Sequence, residues 1–490
     1  MRGEAWGRDT TRTTAPLALP LCRGTTAVAR DTETVGDTAE FAPPLHLTSG
    51  RPARRPCADA PVRQAGCVNV HIYVHIPWCL SRCPYCDFNT FAARTWPEQS
   101  YADGLLRELE THLAQPRFAG ARVTTLYFGG GTPSLFSPTT IARLIDGVAA
   151  RAGLKTDAEI TLEANPGTVD AERLAGFHSA GVNRLSIGVQ SFDDARLRWL
   201  GRAHDADASR ATLVAARRAG FDNFSLDLIH AVPGQTRPDL LADLDEAVAF
   251  EPTHISAYSL TFEPGTPLTR ELKAGRVQRA SEEVEAELFE TVRDHLATRG
   301  YPAYEISNHA RPGFASRHNQ AYGQGAAYIG LGAGAWSFAP AWGTPRERVI
   351  APNSTGDGGI CSALEREQQH VPFTAPDATG HGWGQRWRDL LDPGVWLEAV
   401  STHGHAIDAS EVEELTRAQA MGETCWLGLR QTRGLERSIF VDRFGEEPAA
   451  VYPVLDELLD GGLLEATATG WALTRRGLLV ADAVFARFLI

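Results

Sequence analysis

The chain has 490 residues, a net charge of −13 and a pI near 5.6. Its 43% hydrophobic and 22% charged residues are ordinary for a globular protein, and its length is enough for two or three domains. The acidic balance argues against a general nucleic-acid-binding protein, whose surface would be basic. Eight cysteines are too few for a disulfide scaffold. No apolar run approaches the ~18 residues of a transmembrane helix.

Residues 1–68 differ in composition from the rest of the chain. They contain nine Arg and seven acidic residues, are rich in Thr, Ala and Pro, and show no sustained periodicity. We expect a disordered extension, or a start codon assigned too far upstream. Residues 15–22 are too short and too interrupted by proline for the apolar core of a secretory signal. Cys22, Cys57 and Cys67 are expected to be spare thiols.

From residue 70 onward, strand-like apolar segments alternate with helical patterns. Six strands are predicted, at residues 70–76, 123–128, 159–164, 183–189, 223–229 and 254–260. This alternation predicts an α/β fold in which a parallel sheet curves into a partial, TIM-like (β/α)6 barrel. In such folds the chemistry lies at the carboxyl ends of the strands.

Three cysteines follow the first predicted strand with the spacing C-x3-C-x2-C, at Cys79, Cys83 and Cys86. Pro77 ends the strand and opens a loop. A structural zinc site uses four ligands, usually in two separated pairs, and no second pair follows in the sequence. Three thiols suit an iron–sulfur cube with one iron left open to another ligand. A loop of this kind favours a reducing, cytoplasmic setting.

Polar and glycine-rich motifs follow the later strands. They are residues 129–134 after the second strand, 163–167 after the third, 188–192 and 200–202 after the fourth, and Asp227 in the fifth. Consecutive glycines allow the backbone to approach a ligand closely. Each motif alone is typical of a turn or a strand-end ion pair. Together they predict a ring of polar groups around one pocket.

The cysteine loop, with the aromatic Tyr85 directly before its last cysteine, resembles that of the radical S-adenosylmethionine (SAM) superfamily. The resemblance implies that Cys79, Cys83 and Cys86 bind three irons of a 4Fe–4S cluster. SAM would chelate the fourth iron through its amino and carboxylate groups. The chemistry of the superfamily is reductive cleavage of SAM to methionine and a 5′-deoxyadenosyl radical, which implies an electron donor as a partner.

Six runs narrow the resemblance to the family that contains HemW and the oxygen-independent coproporphyrinogen III oxidase HemN. These runs are residues 75–79, 83–89, 129–135, 163–167, 183–192 and 227–230. The resemblance implies that SAM lies on Tyr73, Tyr85, Gly131, Thr132 and Glu163. In the oxidase a second SAM lies nearby, which would place it here near Gln190, Arg202 and Asp227.

The residue at position 88 distinguishes HemW-type members of this family from the oxidase. The oxidase loop carries a fourth cysteine two residues after the third, whereas this chain has Phe88 after Asp87, which is the HemW pattern. The resemblance therefore implies a chaperone that carries haem as cargo to membrane respiratory proteins. The alternative is an oxidase that decarboxylates two propionates. A cluster protein without SAM is disfavoured because the glycine motif and Glu163 are intact. The oligomeric state stays open.

His318 and Tyr322 lie in a run, residues 318–322, that resembles the start of the family's H-N-x-x-Y-W motif. Imidazole is a common axial ligand of haem iron, so His318 is a candidate haem ligand, and a packed histidine is the alternative. The chain departs from the family pattern twice. Gly323 replaces the Trp of this motif, and Trp336 replaces the His of a G-A-H-S run.

The predicted domain order is the extension, a barrel over residues 69–337, an insertion loop over 338–385 and a C-terminal domain over 386–490. The insertion is rich in Gly, Pro and Thr and has no period. The last segment has helical patterns and is expected to be mainly helical and winged-helix-like. Its acidic balance favours packing on the barrel over reading DNA. Cys361 is expected to be idle, and Cys425 to lie in a core.

Overall fold

A computed structural model describes residues 69–341 and 382–489. The predicted extension and most of the predicted insertion lie outside these residues. Four cysteines also lie outside them, namely Cys22, Cys57, Cys67 and Cys361. No helix in the two described stretches is long and apolar enough to cross a bilayer.

The elements of these two stretches alternate between strands and helices through most of the chain. The strands are β1 (Asn69–Ile76), β2 (Trp78–Cys79), β3 (Phe91–Ala92), β4 (Arg122–Gly130), β5 (Leu154–Ala164), β6 (Arg184–Gln190), β7 (Phe224–His230), β8 (His254–Ser259), β9 (Asn308–Ala310), β10 (Tyr328–Leu331), β11 (Trp336–Pro340), β12 (Gly384–Arg388), β13 (Glu413–Glu414), β14 (Leu435–Glu436), β15 (Leu464–Ala466) and β16 (Gly470–Leu473). The helices are α1 (Glu98–Leu113), α2 (Pro138–Ala152), α3 (Ala171–Ser179), α4 (Asp194–Trp199), α5 (Ala206–Arg218), α6 (Arg237–Ala249), α7 (Pro267–Lys273), α8 (Glu282–Thr298), α9 (Arg317–Gly323), α10 (Pro393–His403), α11 (Arg417–Leu429), α12 (Arg437–Phe444), α13 (Pro448–Val451), α14 (Val454–Asp460), α15 (Arg475–Leu479) and α16 (Ala481–Ala486).

Seven parallel strands form the centre of one sheet, in the order β10, β1, β4, β5, β6, β7 and β8. Six of them are the predicted strands, and their predicted parallel arrangement is confirmed. The seventh, β10, has only four residues and was not predicted. The sheet continues antiparallel through β11, β12 and β13 on one side and β9 on the other. It is therefore an open, partial barrel with more strands than predicted.

The two faces of the parallel strands differ in character because successive side chains point to opposite faces. On β1, Val70, Ile72 and Val74 lie in the main hydrophobic core with the helices. His71 and Tyr73 alternate with them and face the inside of the curved sheet, where they contact His318. We call the space that the inner-face residues enclose the lumen.

Helix α2 shows how local sequence positions the outer layer. Ser137 caps the helix by accepting a hydrogen bond from the Thr140 N–H, and Pro138 occupies the first turn, where no N–H is needed. Its buried apolar side chains are Ile141, Leu144, Ile145 and Val148. These side chains form one apolar face of the helix and belong to the main hydrophobic core.

The main core extends further along the chain than the predicted barrel. Trp387, Trp396, Val400 and Ala406 all belong to it. The predicted boundaries at 337/338 and 385/386 fall within β11 and β12, which pair with each other. We propose that the C-terminal unit begins near Thr416, the residue that caps α11.

The C-terminal unit has its own core, which includes Cys425 as predicted. It combines helices α11–α16 with a three-stranded antiparallel sheet in the order β14, β16, β15. It contacts the barrel through hydrogen bonds from Gln431 Nε2 to the Gly323 carbonyl (2.6 Å) and from the Thr432 N–H to the Tyr304 carbonyl (3.0 Å). The α/β class with a mainly helical C-terminal unit is confirmed.

Replacing Trp396 by alanine is expected to lower the free energy of unfolding by about 3–5 kcal/mol, because the large fully buried ring leaves a cavity against Tyr101. The same change removes the indole N–H that donates to Glu108 (3.1 Å). Urea unfolding followed by circular dichroism measures this loss. Val395→Ala is the control, since that neighbouring side chain is 51% exposed and its loss should stay within about 0.5 kcal/mol. Equal losses in both variants would contradict the assigned packing.

Candidate functional site

The cysteine loop is closed by its own backbone. The Phe91 N–H donates to the Pro77 carbonyl (2.8 Å), and the short strands β2 and β3 pair in parallel at the two ends of the loop. Inside the loop, Arg82 donates to the carbonyls of Cys86 (3.2 Å) and Phe88 (3.3 Å). The loop is therefore closed at its base and supported inside by Arg82.

Each of the three thiols is half-buried and has a neighbouring side chain. Thr132 Oγ1 donates to Cys79 Sγ (3.5 Å), and Arg202 Nη1 donates to Cys83 Sγ (3.6 Å). Hydroxyl and guanidinium groups in these positions would stabilise thiolates. Burial raises the pKa of Cys86 to about 11, so a metal centre is needed to hold its thiolate at neutral pH.

In the described residues no three His, Cys, Asp or Glu side chains are arranged to bind one metal ion. Zinc would need its sulfur ligands at about 2.3 Å from a single point. A cube-shaped cluster instead takes its thiolates at separate corners. The three free thiols of this loop fit a cluster with three cysteine ligands.

The glycine motif after β4 lies directly against the cysteine loop. The N–H groups of Gly131 and Thr132 donate to the carbonyls of Ile76 and Trp78, both at 2.8 Å. A Cβ at position 131 would lie 2.6 Å from the Trp78 carbonyl oxygen, so only glycine fits there. Gly131 and Thr132 thus lie beside Cys79, and their SAM-binding role stays a prediction.

Glu163 lies on the inner face of β5. It accepts hydrogen bonds from Tyr127 Oη (2.9 Å) and from the Gly130 N–H (3.2 Å). Burial raises the pKa of its carboxyl to about 7. The Tyr73 ring stacks on Tyr127 at 6.0 Å, so two predicted SAM residues, Tyr73 and Glu163, meet at one wall of the lumen.

Arg202 is bound to the cysteine loop and its surroundings. Its guanidinium donates to the Gly188 carbonyl (3.0 Å) and to the Asn165 side-chain oxygen, in addition to Cys83. The charge and a hydrogen bond of Arg202 also act on the phenol of Tyr85, whose pKa is raised chiefly by burial. The structure thus places Arg202 with Tyr85 at the cysteine loop.

The other two residues predicted for a second SAM lie on neighbouring strands. Gln190 ends β6 in the left-handed region, with φ at 68°. Asp227 on β7 accepts hydrogen bonds from the hydroxyls of Ser186 (3.0 Å) and Ser225 (3.4 Å). A second SAM at Gln190, Arg202 and Asp227 stays a prediction, because protein groups already engage Arg202 and Asp227.

His318 is enclosed in the lumen and is only 2% exposed. Its Nδ1 shares a hydrogen bond with Thr125 Oγ1 (2.7 Å), and its Nε2 shares one with Tyr322 Oη (3.0 Å). Its ring stacks on Tyr127 at 4.9 Å. Both nitrogens are therefore engaged, and iron ligation would require the ring to give up the Tyr322 bond. The ligand role of His318 stays a prediction.

The chain departs from the family motif at Gly323 and Trp336, and other parts of the protein pack against both residues. A Cβ at Gly323 would lie 2.8 Å from Gln431 Nε2, so the C-terminal unit occupies the space beside this residue. Trp336 packs with Tyr322 against the small core around Tyr328, and Arg388 lies over its ring at 5.4 Å. Trp336, which replaces the family's His, thus packs beside Tyr322, the tyrosine that this chain shares with the family motif.

Sequence reasoning missed two supports of the loop, His75 and Asn89. His75 Nε2 shares a hydrogen bond with the Asn89 carbonyl (2.9 Å). The Asn89 amide donates to the carbonyls of Ala333 (2.9 Å) and Leu391 (2.8 Å). Both residues lie in runs that carried the family resemblance, which was the available signal. The partners of the Asn89 amide lie more than 200 residues away and could not be inferred from spacing.

The chain matches two families over the elements just described. Residues 73–247 match the radical SAM superfamily, and residues 415–480 match the HemN C-terminal domain. The chain is 42% identical to heme chaperone HemW of Escherichia coli (strain K12), over 54% of this chain and 68% of that protein. It is 32% identical to heme chaperone HemW of Bacillus subtilis (strain 168), over 85% and 98%. The chain belongs to the HemW family of radical SAM proteins.

The chain is also similar to a mitochondrial relative and to one solved structure. Radical S-adenosyl methionine domain-containing protein 1, mitochondrial, of Mus musculus is 33% identical over 89% of this chain and 92% of that protein. The solved structure of coproporphyrinogen III oxidase (HemN) from Escherichia coli superposes with a TM-score of 0.66 at 22% identity, over 86% of this chain and 90% of that chain. At that identity the second likeness shows the fold alone.

The radical SAM family implies a 4Fe–4S cluster and SAM, and the residues present fit both. Cys79, Cys83 and Cys86 would hold the cluster, which would supply the single electron needed to cleave SAM. Gly131 and Glu163 would present backbone and carboxylate groups to SAM. The protein would hold the cysteines, Gly131 and Glu163 in place and partly shield them from water.

Replacing Cys79, Cys83 or Cys86 singly by serine is expected to abolish the cluster, because a cube with three protein ligands has none to spare. Anaerobic reconstitution followed by iron analysis and absorbance measures this loss. Cys425→Ala is the matched control, since that thiol lies in the C-terminal core and should leave the iron content unchanged. Full iron content in any of the three serine variants would contradict the assignment.

Binding of SAM is expected to strengthen about tenfold as the pH rises from about 6 to about 8, because Glu163 ionises near pH 7 and the carboxylate is the better acceptor. Glu163→Gln should remove this increase in SAM affinity, while any pH dependence that comes from the ionisable groups of SAM itself should remain. Equilibrium dialysis on the cluster-loaded protein at several pH values measures it. An identical pH dependence in both proteins would show that Glu163 does not contact SAM.

Proposed function

We propose that this protein binds haem and delivers it to membrane respiratory proteins, with the 4Fe–4S cluster and SAM as resident cofactors. The observation that carries this proposal is the likeness to two relatives named heme chaperone HemW, one of which is matched over 98% of its length. An electron donor to the cluster and a cytoplasmic location are parts of the same proposal. The acceptor proteins are to be identified by experiment.

The loop itself supports a chaperone over a porphyrinogen oxidase. At the position of the fourth oxidase cysteine, Phe88 offers no sulfur, and its carbonyl is taken up by Arg82 (3.3 Å). The structural likeness to the oxidase HemN shows the fold alone. Decarboxylation of coproporphyrinogen III is therefore the less supported alternative, and the test below includes it.

The geometry of His318 limits how haem could be ligated. Because Thr125 and Tyr322 engage both ring nitrogens, the imidazole is closed to iron in this conformation. Burial also lowers the pKa of His318 well below its usual value, so the ring is neutral and chemically able to ligate iron once freed. If His318 is the axial ligand, the Tyr322 hydroxyl competes with iron for Nε2.

The two competing functions are separated by one reconstituted sample divided in two. One half receives haem under reducing conditions and is followed by absorbance through gel filtration. The other half receives coproporphyrinogen III, SAM and dithionite and is assayed for protoporphyrinogen. Stable haem retention without turnover supports the proposal. Turnover without haem retention would contradict it and favour the oxidase.

Replacing Tyr322 by phenylalanine is expected to tighten haem binding severalfold, because it removes the hydroxyl that engages Nε2 of His318 and leaves the imidazole ring in place. His318→Ala should then abolish the axial-ligand signature in the haem absorbance spectrum. Tyr328→Phe is the matched control, since this neighbouring phenol packs on Tyr322 and makes no bond to His318. Unchanged haem spectra in His318→Ala would assign the iron ligand elsewhere.

A further inference from the structure

Arg184 stands on the inner face of β6 and is only 2% exposed. Its Nε has no hydrogen-bond partner, and its guanidinium forms no ion pair with any residue in the two described stretches. Arginine stays protonated in proteins, so this is a buried and unpaired positive charge. Such charges are costly to bury and normally have partners.

The acid on which the charge of Arg184 acts, Asp227, does not account for this unpaired charge. Burial raises the pKa of the Asp227 carboxyl, and the charge of Arg184 opposes this rise after the hydrogen bonds from Ser256 and Ser186. Arg184 is thus near enough to act on Asp227 through space. The Asp227 oxygens, however, are taken by serine hydroxyls, including both contacts of Ser186 (3.0 and 3.2 Å). The guanidinium fork is left without an acceptor.

A second unsatisfied group lies beside Arg184. Thr161 is its register partner on β5, and the Thr161 hydroxyl is buried and has no partner among the described residues. The same row of the sheet continues to Tyr127, which lines the lumen. Five N–H donors of a guanidinium and a hydroxyl therefore meet in one place with nothing to accept from Arg184.

We propose that the lumen contains a carboxylate-binding site in which Arg184 pairs the anion through its guanidinium fork and Thr161 donates a further hydrogen bond. A carboxylate fits because its two oxygens match the planar fork of arginine. It also neutralises the buried charge. Glu163 and Asp227, which follow Thr161 and Arg184 along or beside the same strands, are only partly buried.

The carboxylate could come from two sources. One is a propionate of a tetrapyrrole, and this version rests on the proposed haem function. The other is a small free carboxylate, which needs no haem. Both share the same chemistry at Arg184, so the experiment has one arm for each source.

The first arm measures thermal unfolding of the full-length protein with sodium propionate and with sodium chloride at equal ionic strength. Wild type is expected to gain stability with propionate, and Arg184→Met should lose this gain. Without ligand, Arg184→Met should melt about 3 °C higher than wild type, because an unpaired buried charge is removed. A purely structural arginine would give a lower melting temperature and no propionate effect.

Arg388→Met is the matched control, since Arg388 is equally buried (1% exposed) but pairs with Glu411 at 2.6 Å. It should melt lower than wild type and keep the propionate gain. Arg184→Lys keeps the positive charge but loses the paired guanidinium N–H donors, so it should keep only part of the stabilisation by propionate. Thr161→Val removes the proposed second donor and should also reduce the stabilisation by propionate. If propionate stabilises wild type no more than chloride does, the small-carboxylate source is overturned.

The second arm compares protoporphyrin IX with its dimethyl ester by porphyrin fluorescence. Wild type should bind the free acid at least about tenfold more tightly, and Arg184→Met should bind both alike.

If wild type also binds both alike and shows no propionate gain, the site is overturned. If porphyrin and haem both fail to bind but the propionate gain depends on Arg184, the site stands and the proposed haem function fails. If haem binds and Arg184→Met changes neither arm, the haem function stands and the site fails.

Discussion

The pairing of β1 with β4 holds the candidate site together. From His71 and Thr125 the ladder runs without a further shift to Ile76 and Gly130. Hydrogen bonds from the next two N–H groups, at Gly131 and Thr132, extend it beyond the strand ends. The cysteine loop and the glycine motif are therefore joined backbone to backbone. A slip of one residue would turn Tyr73 from the lumen into the apolar core, so the hydrophobic pattern fixes this register.

The polar side chains of the lumen are stabilised by hydrogen bonds to one another. The outer face of the same strands supplies apolar burial, while inner side chains satisfy one another, as in the chain from His71 through Thr125 and His318 to Tyr322. Such a network specifies one arrangement because each lost partner would leave a buried polar atom unpaired. Arg184 and Thr161 depart from this rule, and the proposed carboxylate would supply their missing partner.

Much of the fold was readable because it depends on local pattern. The six long parallel strands have apolar runs bounded by turn residues, and α2 carries its own cap at Ser137. The strand β10 and the pairing of β11 with β12 were not readable. Their runs are short, and their stability comes from neighbours already present in the sheet. For the same reason the predicted boundary at 385/386 fell within a strand.

The sequence by itself determined the cysteine loop, the glycine motif and the family to which they point, because each depends on the spacing of residues close together in the chain. The tertiary structure decided which groups are free. It engaged both nitrogens of His318, bound Arg202 to the cysteine loop and left Arg184 unpaired. These outcomes depend on contacts between strands and loops far apart in the chain, and on the exclusion of water from the lumen, neither of which spacing alone encodes.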